Sequence, residues 1–475
     1  MSYSMYKDLR EFIELVDKLN ALRRIDGADP RFEIGGITEV AASLPDGPAL
    51  LFDDIKGYPR GFRIFTNAVT GAQRAALALG LDPALRPLDA LKAWMEKRKT
   101  LKPHQPAMVK SASFLQNTRS DDEVDLAQFP APVWHRHDGG PFIGSGSIVI
   151  MRDPDDGWIN ASIYRIQVHG RDKLTVQFDH AGRHGAIIAG KYWERGKSCP
   201  IAVVGGEDPA LFIAGFEYLP AGQSEYEFAG AIKGAPVEVY PAPLTGLPVP
   251  AHAEIVFEGE LLAMSELAMP EGPFGEFTGY YASEARPAPV MQVTATYHRD
   301  DPILLGSPPM KPPRFHFGLP LRAATIWQNL EAAGITDVAG AWQHVSQLMT
   351  VVALTQRYDG HAKRAALVAA AHSYMARVVV VVDDDVDPSN LGDVMWAVTT
   401  RCEPAEQIDV IRNAWSSVLD PRISPEQKLA GVTAHSKLII EACRPFSWLS
   451  KFPPTSALTM EEARTIEDKW GEILK

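Results

Sequence analysis

Two glutamates five positions apart enclose a short, rigid run, Glu271-Gly-Pro-Phe-Gly-Glu276. Gly272 and Gly275 open backbone angles closed to other residues, and Pro273 fixes its own φ and donates no N–H, so neither a helix interior nor a central strand can pass through. Phe274 can anchor such a turn in apolar surroundings. A turn of this kind can aim two carboxyl groups into one space. Without a cation, paired carboxyls raise one another's pKa, and one can stay protonated near neutral pH and serve as an acid. The same six residues would equally make a surface turn with two solvated glutamates.

A second stretch, Trp158-Ile-Asn-Ala-Ser-Ile-Tyr-Arg-Ile-Gln-Val168, reads as a strand. Alternation sets Asn160, Ser162 and Tyr164 on one face and Ile163 and Arg165 on the other, unless a bulge intervenes. A permanent charge at Arg165 is costly inside an apolar strand unless it is paired. Glu271 and Glu276 are the candidate partners, and a purely structural ion pair would satisfy the same demand. Two more polar stretches follow, His180-Ala-Gly-Arg-His184 and Ser224-Glu225-Tyr226. Asn160, His184 and Glu225 would offer an amide oxygen, an imidazole and a carboxylate. That mostly hard set suits Mg²⁺ or Mn²⁺, particularly an ion that also holds a phosphate. Nothing in their spacing joins the three.

The elements that must position these groups fall into three regions. Leu9, Phe12, Ile13, Val16 and Leu19 recur at helical spacing, and β-like runs at 49–52 and 62–66 precede a helical pattern at 70–79. A proline-bearing polar tract from 102 to about 132, with Ser120-Asp-Asp-Glu-Val-Asp125 inside it, marks a boundary near 115. The expected domains are therefore 1–115, 116–320 and 321–475. From 143 to 299 short β-branched runs (147–151, 161–168, 174–178, 201–205, 236–240, 254–261, 290–297) are punctuated by turn residues, as in Asp153-Pro-Asp-Asp-Gly157. This pattern predicts a β-barrel with inserted helices at 183–196 and 208–215. Beyond 320, helical patterns (321–333, 363–375, 393–400) alternate with an apolar strand at 377–382, as in an α/β domain. At the end, Ile466, Trp470, Ile473 and Leu474 form one apolar stripe, predicted to dock on another domain or subunit.

Composition narrows the partners. A formal charge of −12 over 475 residues, with no Lys/Arg run, argues against general nucleic-acid binding. Only three cysteines occur, widely separated (Cys199, Cys402, Cys443), which leaves no disulfide framework or thiolate zinc site and fits a reducing cytoplasm. No signal-peptide pattern or membrane-length apolar run is present. The expectation is a soluble, cytoplasmic protein.

Taken together, Asn160-Ala-Ser-Ile-Tyr-Arg165, Ala181-Gly-Arg-His184, Ser224-Glu-Tyr-Glu-Phe-Ala-Gly230 and Glu271-Gly-Pro-Phe-Gly-Glu276-Phe-Thr-Gly-Tyr280 resemble the UbiD family of reversible decarboxylases that use prenylated FMN. Gly360-His-Ala-Lys363, Asp383-Asp-Asp-Val-Asp387 and Trp396-Ala-Val-Thr-Thr-Arg401 follow in the family's order. The resemblance covers nearly the whole chain. It implies a multidomain α+β and α/β fold, with a split, flavin-reductase-like barrel holding the cofactor between an N-terminal α/β domain and a C-terminal α/β oligomerisation domain. It makes Arg165, Glu271 and Glu276 a catalytic network with Glu276 as proton donor. Asn160, His184 and Glu225 become ligands of Mn²⁺ or Mg²⁺ at the cofactor phosphate, with K⁺ or Na⁺ close by. Ala161, Ser162, Ile163, Tyr164, Arg165, Arg183, His184 and Glu225 would meet the cofactor. The implied partners are a small carboxylic acid (aromatic, heteroaromatic or α,β-unsaturated), CO₂ and a flavin prenyltransferase that supplies the cofactor. The assembly would be a homodimer or homohexamer, with no nucleic acid or membrane involved.

Two features depart from the family pattern. Some members carry a phosphate-side lysine in the segment corresponding to 366–376, where this chain has none, leaving Arg377, Lys363 or the metal alone for that contact. The segment 306–317 is individual and is expected to line the substrate pocket. Three other signals point elsewhere. Asp383-Asp-Asp385 reads as helix capping rather than a diphosphate site. His135-Arg-His137 reads as a solvated loop, and Gly144-Ser-Gly146 lacks the context of a dinucleotide fingerprint. Two rival readings are a flavin reductase on a similar barrel, which would need NAD(P)H, and a non-catalytic flavin-binding subunit without CO₂ exchange.

Overall fold

The computed structural model describes residues 5–44, 46–178, 180–312 and 317–474. They divide into two compact units, Met1–Leu319 and Pro320–Lys475.

The first unit opens on the helix Leu9–Lys18, where the Asp8 side chain accepts from the Glu11 N–H and Leu9, Phe12, Ile13 and Val16 are buried, as their spacing predicts. A four-stranded sheet follows in the order Leu22–Asp26, Ala49–Asp53, Arg63–Thr66, Ile303–Gly306. The fourth strand arrives after the barrel is complete and pairs in parallel with the third. The helix expected at 70–79 is Ala72–Ala78. A further one, Pro87–Thr100, begins on proline and buries Leu88, Leu91, Trp94 and Met95.

Eight antiparallel strands make a nearly closed barrel in the order Phe142–Gly144, Arg165–His169, Lys173–Gln177, Arg286–His298, Ile255–Leu261, Cys199–Gly205, Ile148–Arg152, Ile159–Ile163. The last strand of this path runs through Tyr164 into the second, so the chain itself links one end of the path to the strand beside the other end. The run expected at 161–168 is therefore two strands with a break at Tyr164. Phe142, Ile166, Leu174, Phe257 and Met291 belong to its core. The register of the long strand Arg286–His298 against Ile255–Leu261 shifts at Glu258/Gly259, and a Cβ at Gly259 would lie 1.9 Å from the Gln292 carbonyl oxygen. The run at 236–240, grouped with the barrel from its sequence, instead forms Glu238–Pro241 in a separate sheet with Pro248–Pro250 and Ala107–Met108. Prolines 241, 248 and 250 have no N–H to give and suit only a small, marginal ladder. The expected inserted helices are His184–Glu194 and Pro209–Phe216, and a third, Glu225–Lys233, follows them.

The second unit is built on a five-stranded sheet in the order Val338–His344, Met349–Leu354, Val378–Asp383, Ala434–Ala442, Ile408–Trp415. The central strand is parallel to both neighbours, which explains its unbroken valine run. Its acidic end does not cap a helix. Asn390 caps Leu391–Arg401, while Asp383 and Asp385 each accept from Arg401 Nη1 at 2.7 Å, because a buried guanidinium demands carboxylates. On the terminal helix Met460–Leu474, Ile466, Trp470 and Ile473 are 41, 47 and 76 % exposed. Among the described residues no helix is long and apolar enough to cross a membrane.

Candidate active site

The strand Ile159–Ile163 pairs with Ile148–Arg152, and Asn160 and Ser162 turn their side chains to the same partner, Glu225. Asn160 Nδ2 donates to Glu225 Oε1 at 3.0 Å, Ser162 Oγ donates to the same oxygen at 3.1 Å, and the Ala161 N–H donates to Oε2 at 3.0 Å. Glu225 starts its own helix after the Ser224 cap, which fixes the direction of approach. Tyr164 completes that face as alternation predicts. Its hydroxyl donates to Asn160 Oδ1 at 3.3 Å and accepts from the Gly185 N–H at 2.9 Å. Through this hydroxyl the N-terminus of His184–Glu194 is tied to Asn160. The His184 ring stands edge-on to Trp158 at 4.9 Å between centroids. Arg183, the residue before that helix, donates to the Ile163 carbonyl at 3.3 Å and lies over the Tyr164 ring.

Electrostatics at this end fit a cation. Glu225 is 2 % exposed, and its side-chain donors, an amide, a backbone N–H and a hydroxyl, are all neutral. Burial pushes its carboxyl above the usual range, against those hydrogen bonds. Burial and the neighbouring Arg183 charge hold the His184 imidazole below its usual value, so it is a neutral donor near pH 7. A buried carboxyl, a neutral imidazole and an amide oxygen are the donor chemistry a hard divalent ion takes. Among the described residues no group of three or more His, Cys, Asp or Glu could hold a metal, and here an amide stands in the third place.

The other end is the carboxylate turn. Glu271 closes the strand Ala268–Glu271, which pairs with the start of Arg286–His298, and Gly272 then leaves the strand at φ +82°. Arg165, first residue of its strand, meets both acids. Its Nε and Nη2 donate to the two oxygens of Glu271 at 2.5 and 2.8 Å, and Nη1 donates to Glu276 Oε1 at 2.6 Å. The fork holds Glu271 bidentately and Glu276 through a different nitrogen. Side-chain exposure is 16 % for Arg165, 1 % for Glu271 and 10 % for Glu276, so Glu276 is the more accessible acid. The Arg165 charge stands between the two carboxyls. The Arg165 guanidinium also lies 5.0 Å from the Phe274 ring centroid, and Phe274 packs at a tilt against Phe142.

Three family models of the 3-octaprenyl-4-hydroxybenzoate carboxy-lyase, UbiD, match this chain. The N-terminal domain matches residues 13–94, the Rift-related domain 107–312 and the C-terminal domain 315–442. The chain belongs to the UbiD family. Membership makes it a carboxy-lyase. A relative, the phenolic acid decarboxylase of Streptomyces sp. (strain D7), is 35 % identical over 456 residues, 93 % of this chain and 92 % of that protein. The vanillic acid decarboxylase of Sedimentibacter hydroxybenzoicus in open form superposes with a TM-score of 0.84 at 29 % identity, over 99 % of this chain and 100 % of that one. An evolved dimeric form of the UbiD-class enzyme HmfF from Pelotomaculum thermopropionicum, in complex with prFMN, superposes at 0.79 with 27 % identity, over 95 % and 97 %.

In this UbiD chain the structure also places groups that the sequence did not single out. Gln167, two residues beyond Arg165, accepts the Gly272 N–H at 2.9 Å, and Asp138 accepts the Gly275 N–H at 3.0 Å. Arg136 and His137 are exposed, as a solvated loop requires, but His135 is not. It is half-buried beside Asp138, with its ring edge-on to Phe274, because the turn closes over it. Gly144 is a packing glycine, since a Cβ there would lie 2.5 Å from Ile166 Cβ. Lys363 and Arg377, the two basic candidates for a phosphate, both have carboxylate partners, Lys363 with Glu441 at 2.6 Å and Arg377 with Asp420 at 2.7 Å. Of the segment 306–317, residues 313–316 lie outside the described residues.

Proposed function

We propose that the chain is a prenylated-FMN-dependent, reversible decarboxylase of an aromatic, heteroaromatic or α,β-unsaturated carboxylic acid. The observation that carries this reading is the Arg165 fork, which joins Glu271 and Glu276 on the same length of chain that presents Asn160 to Glu225. Relatives named for phenolic and vanillic acid favour an aromatic substrate, and the prFMN-bound neighbour favours the cofactor. Asn160, His184 and Glu225 would hold Mn²⁺ or Mg²⁺ against the cofactor phosphate, with K⁺ or Na⁺ nearby. Ala161–Arg165 and Arg183 would flank the flavin. When bound, the prenylated flavin supplies the electron sink that an sp² carbanion lacks.

The chain's own residues do the rest. Arg165 faces the carboxylate side of the substrate and is kept in plane by its bidentate bond to Glu271. Glu276, protonated, gives its proton to the carbon that has lost CO₂ and is reprotonated from solvent. In the carboxylating direction the same carboxylate takes that proton back. A homo-oligomer formed through the terminal helix, a reducing cytoplasmic setting and a flavin prenyltransferase as cofactor supplier complete the reading.

The test is expression alongside a flavin prenyltransferase, then CO₂ release from a panel of carboxylic acids without NAD(P)H. Glu276→Gln keeps size and hydrogen bonding but removes the carboxyl proton. Turnover is expected to fall by about 10²–10⁴-fold, the usual range for a positioned acid. Cofactor and metal content should stay near wild type. A variant that exchanges deuterium from solvent into product at the wild-type rate would remove Glu276 from this role.

A further inference from the structure

Glu276 follows a glycine at the end of a turn anchored by the buried Phe274 ring, and the neighbouring loop 135–140 grips the backbone of that turn. Asp138, its side chain wholly buried, accepts the Gly275 N–H through Oδ1 at 3.0 Å and the His135 N–H through Oδ2 at 2.9 Å. The Gly139 N–H donates to the Pro273 carbonyl at 2.8 Å. Backbone meets backbone there, because a Cβ at Gly139 would lie 1.8 Å from the Gly272 oxygen. On the far side the His137 N–H donates to the Tyr281 hydroxyl at 3.0 Å, and Tyr281 bridges back to Gly275. Arg165 holds the head of Glu276, while Asp138 holds the backbone immediately before it.

We infer that Asp138 is a positioning residue for the proton transfer: its carboxylate fixes the Gly275 amide and so sets where the Glu276 carboxyl stands beside Arg165. The inference rests on Glu276 being the proton donor. Its physical basis is twofold. A carboxylate accepting a backbone N–H makes a bond roughly twice as strong as a neutral one. Misplacing a reacting group by about 1 Å costs on the order of 10²-fold in rate.

The experiment is a double-mutant cycle in the reconstituted enzyme, with Asp138→Ala and Asp138→Asn each made alone and combined with Glu276→Gln. Asp138→Ala is expected to lower kcat by about 10²-fold with KM little changed, and Asp138→Asn, which keeps one acceptor oxygen, by less. In the Glu276→Gln background either substitution should add little, because the group being positioned is already disabled. In flavin-free protein, hydrogen exchange at Gly275 and Glu276 should accelerate while the barrel strands stay protected. Equal costs of the Asp138 change in both backgrounds, or a wild-type kcat for Asp138→Ala, would overturn the inference. Should Asp138→Ala fail to fold, the Asp138→Asn arm decides by the same comparison. A wild-type rate in Glu276→Gln alone strikes the proton-donor assignment itself, a result distinct from either Asp138 outcome.

Discussion

Single residues at this site divide by how they announce themselves. Arg165 and the two glutamates are legible because a charge inside an apolar strand needs partners and a Gly-Pro-Phe-Gly turn has few uses. Asp138 and Gln167 are not, because each acts through a backbone amide more than a hundred positions away. Nor does spacing reveal that Tyr164 links Asn160 to the start of the His184 helix. His184 carries a prediction of its own. A methyl group cannot replace an imidazole ligand, and the cofactor phosphate would then face Glu225 unscreened. His184→Ala is therefore expected to lose flavin and metal together, read by absorbance and elemental analysis of the purified protein. Full occupancy of both would exclude His184 as a ligand.

At the scale of elements, periodicity finds what is buried on one side and misses what is not. The helices Leu9–Lys18 and His361–His372 and the strand Val378–Asp383 follow from their patterns, whereas the edge strand Ile408–Trp415 is mostly exposed and carries no such pattern. That edge strand pairs with Ala434–Ala442, and the loop between them carries Asp420, on which the start of Val378–Asp383 is pinned through Arg377. Burial pushes the Asp420 carboxyl up, but the Arg422 amide and the Arg377 charge outweigh it and hold it below the ordinary range. With the folded value depressed, this stabilisation is complete above the unfolded value near ~4 and is lost as pH falls through the lower folded one. Arg377→Gln is thus expected to lower the melting temperature at pH 7, modestly because Arg377 is 41 % exposed. The gap from wild type should shrink between pH 4 and lower pH, roughly the window those values set. Melting curves at pH 7, 5 and 3 check this, and a gap that widens in acid would contradict it.

For the whole molecule, the barrel and the α/β second unit could be read from runs of short strands and alternating elements. The return of Ile303–Gly306 to the N-terminal sheet could not, since a parallel pairing across so long a separation leaves no local trace. The terminal stripe is expected to dock on another domain or subunit, and we propose a second copy of the chain as its cover. Trp470→Ala should then shift the assembly toward single chains in light scattering at dilute concentration, with the melting of the isolated chain little changed. An unaltered mass would count against that interface. The seam at Tyr164 has a consequence for how the enzyme can diversify. Asn160 and Arg165 lie on either side of the break at Tyr164, only a few residues apart, so in the proposed reading the cation end and the proton end share one short ruler. Lengthening or tilting that ruler to suit a larger acid would disturb cofactor retention and turnover in the same stroke. Adaptation to new substrates is thereby left to the walls around it, where one property can drift without dragging the other.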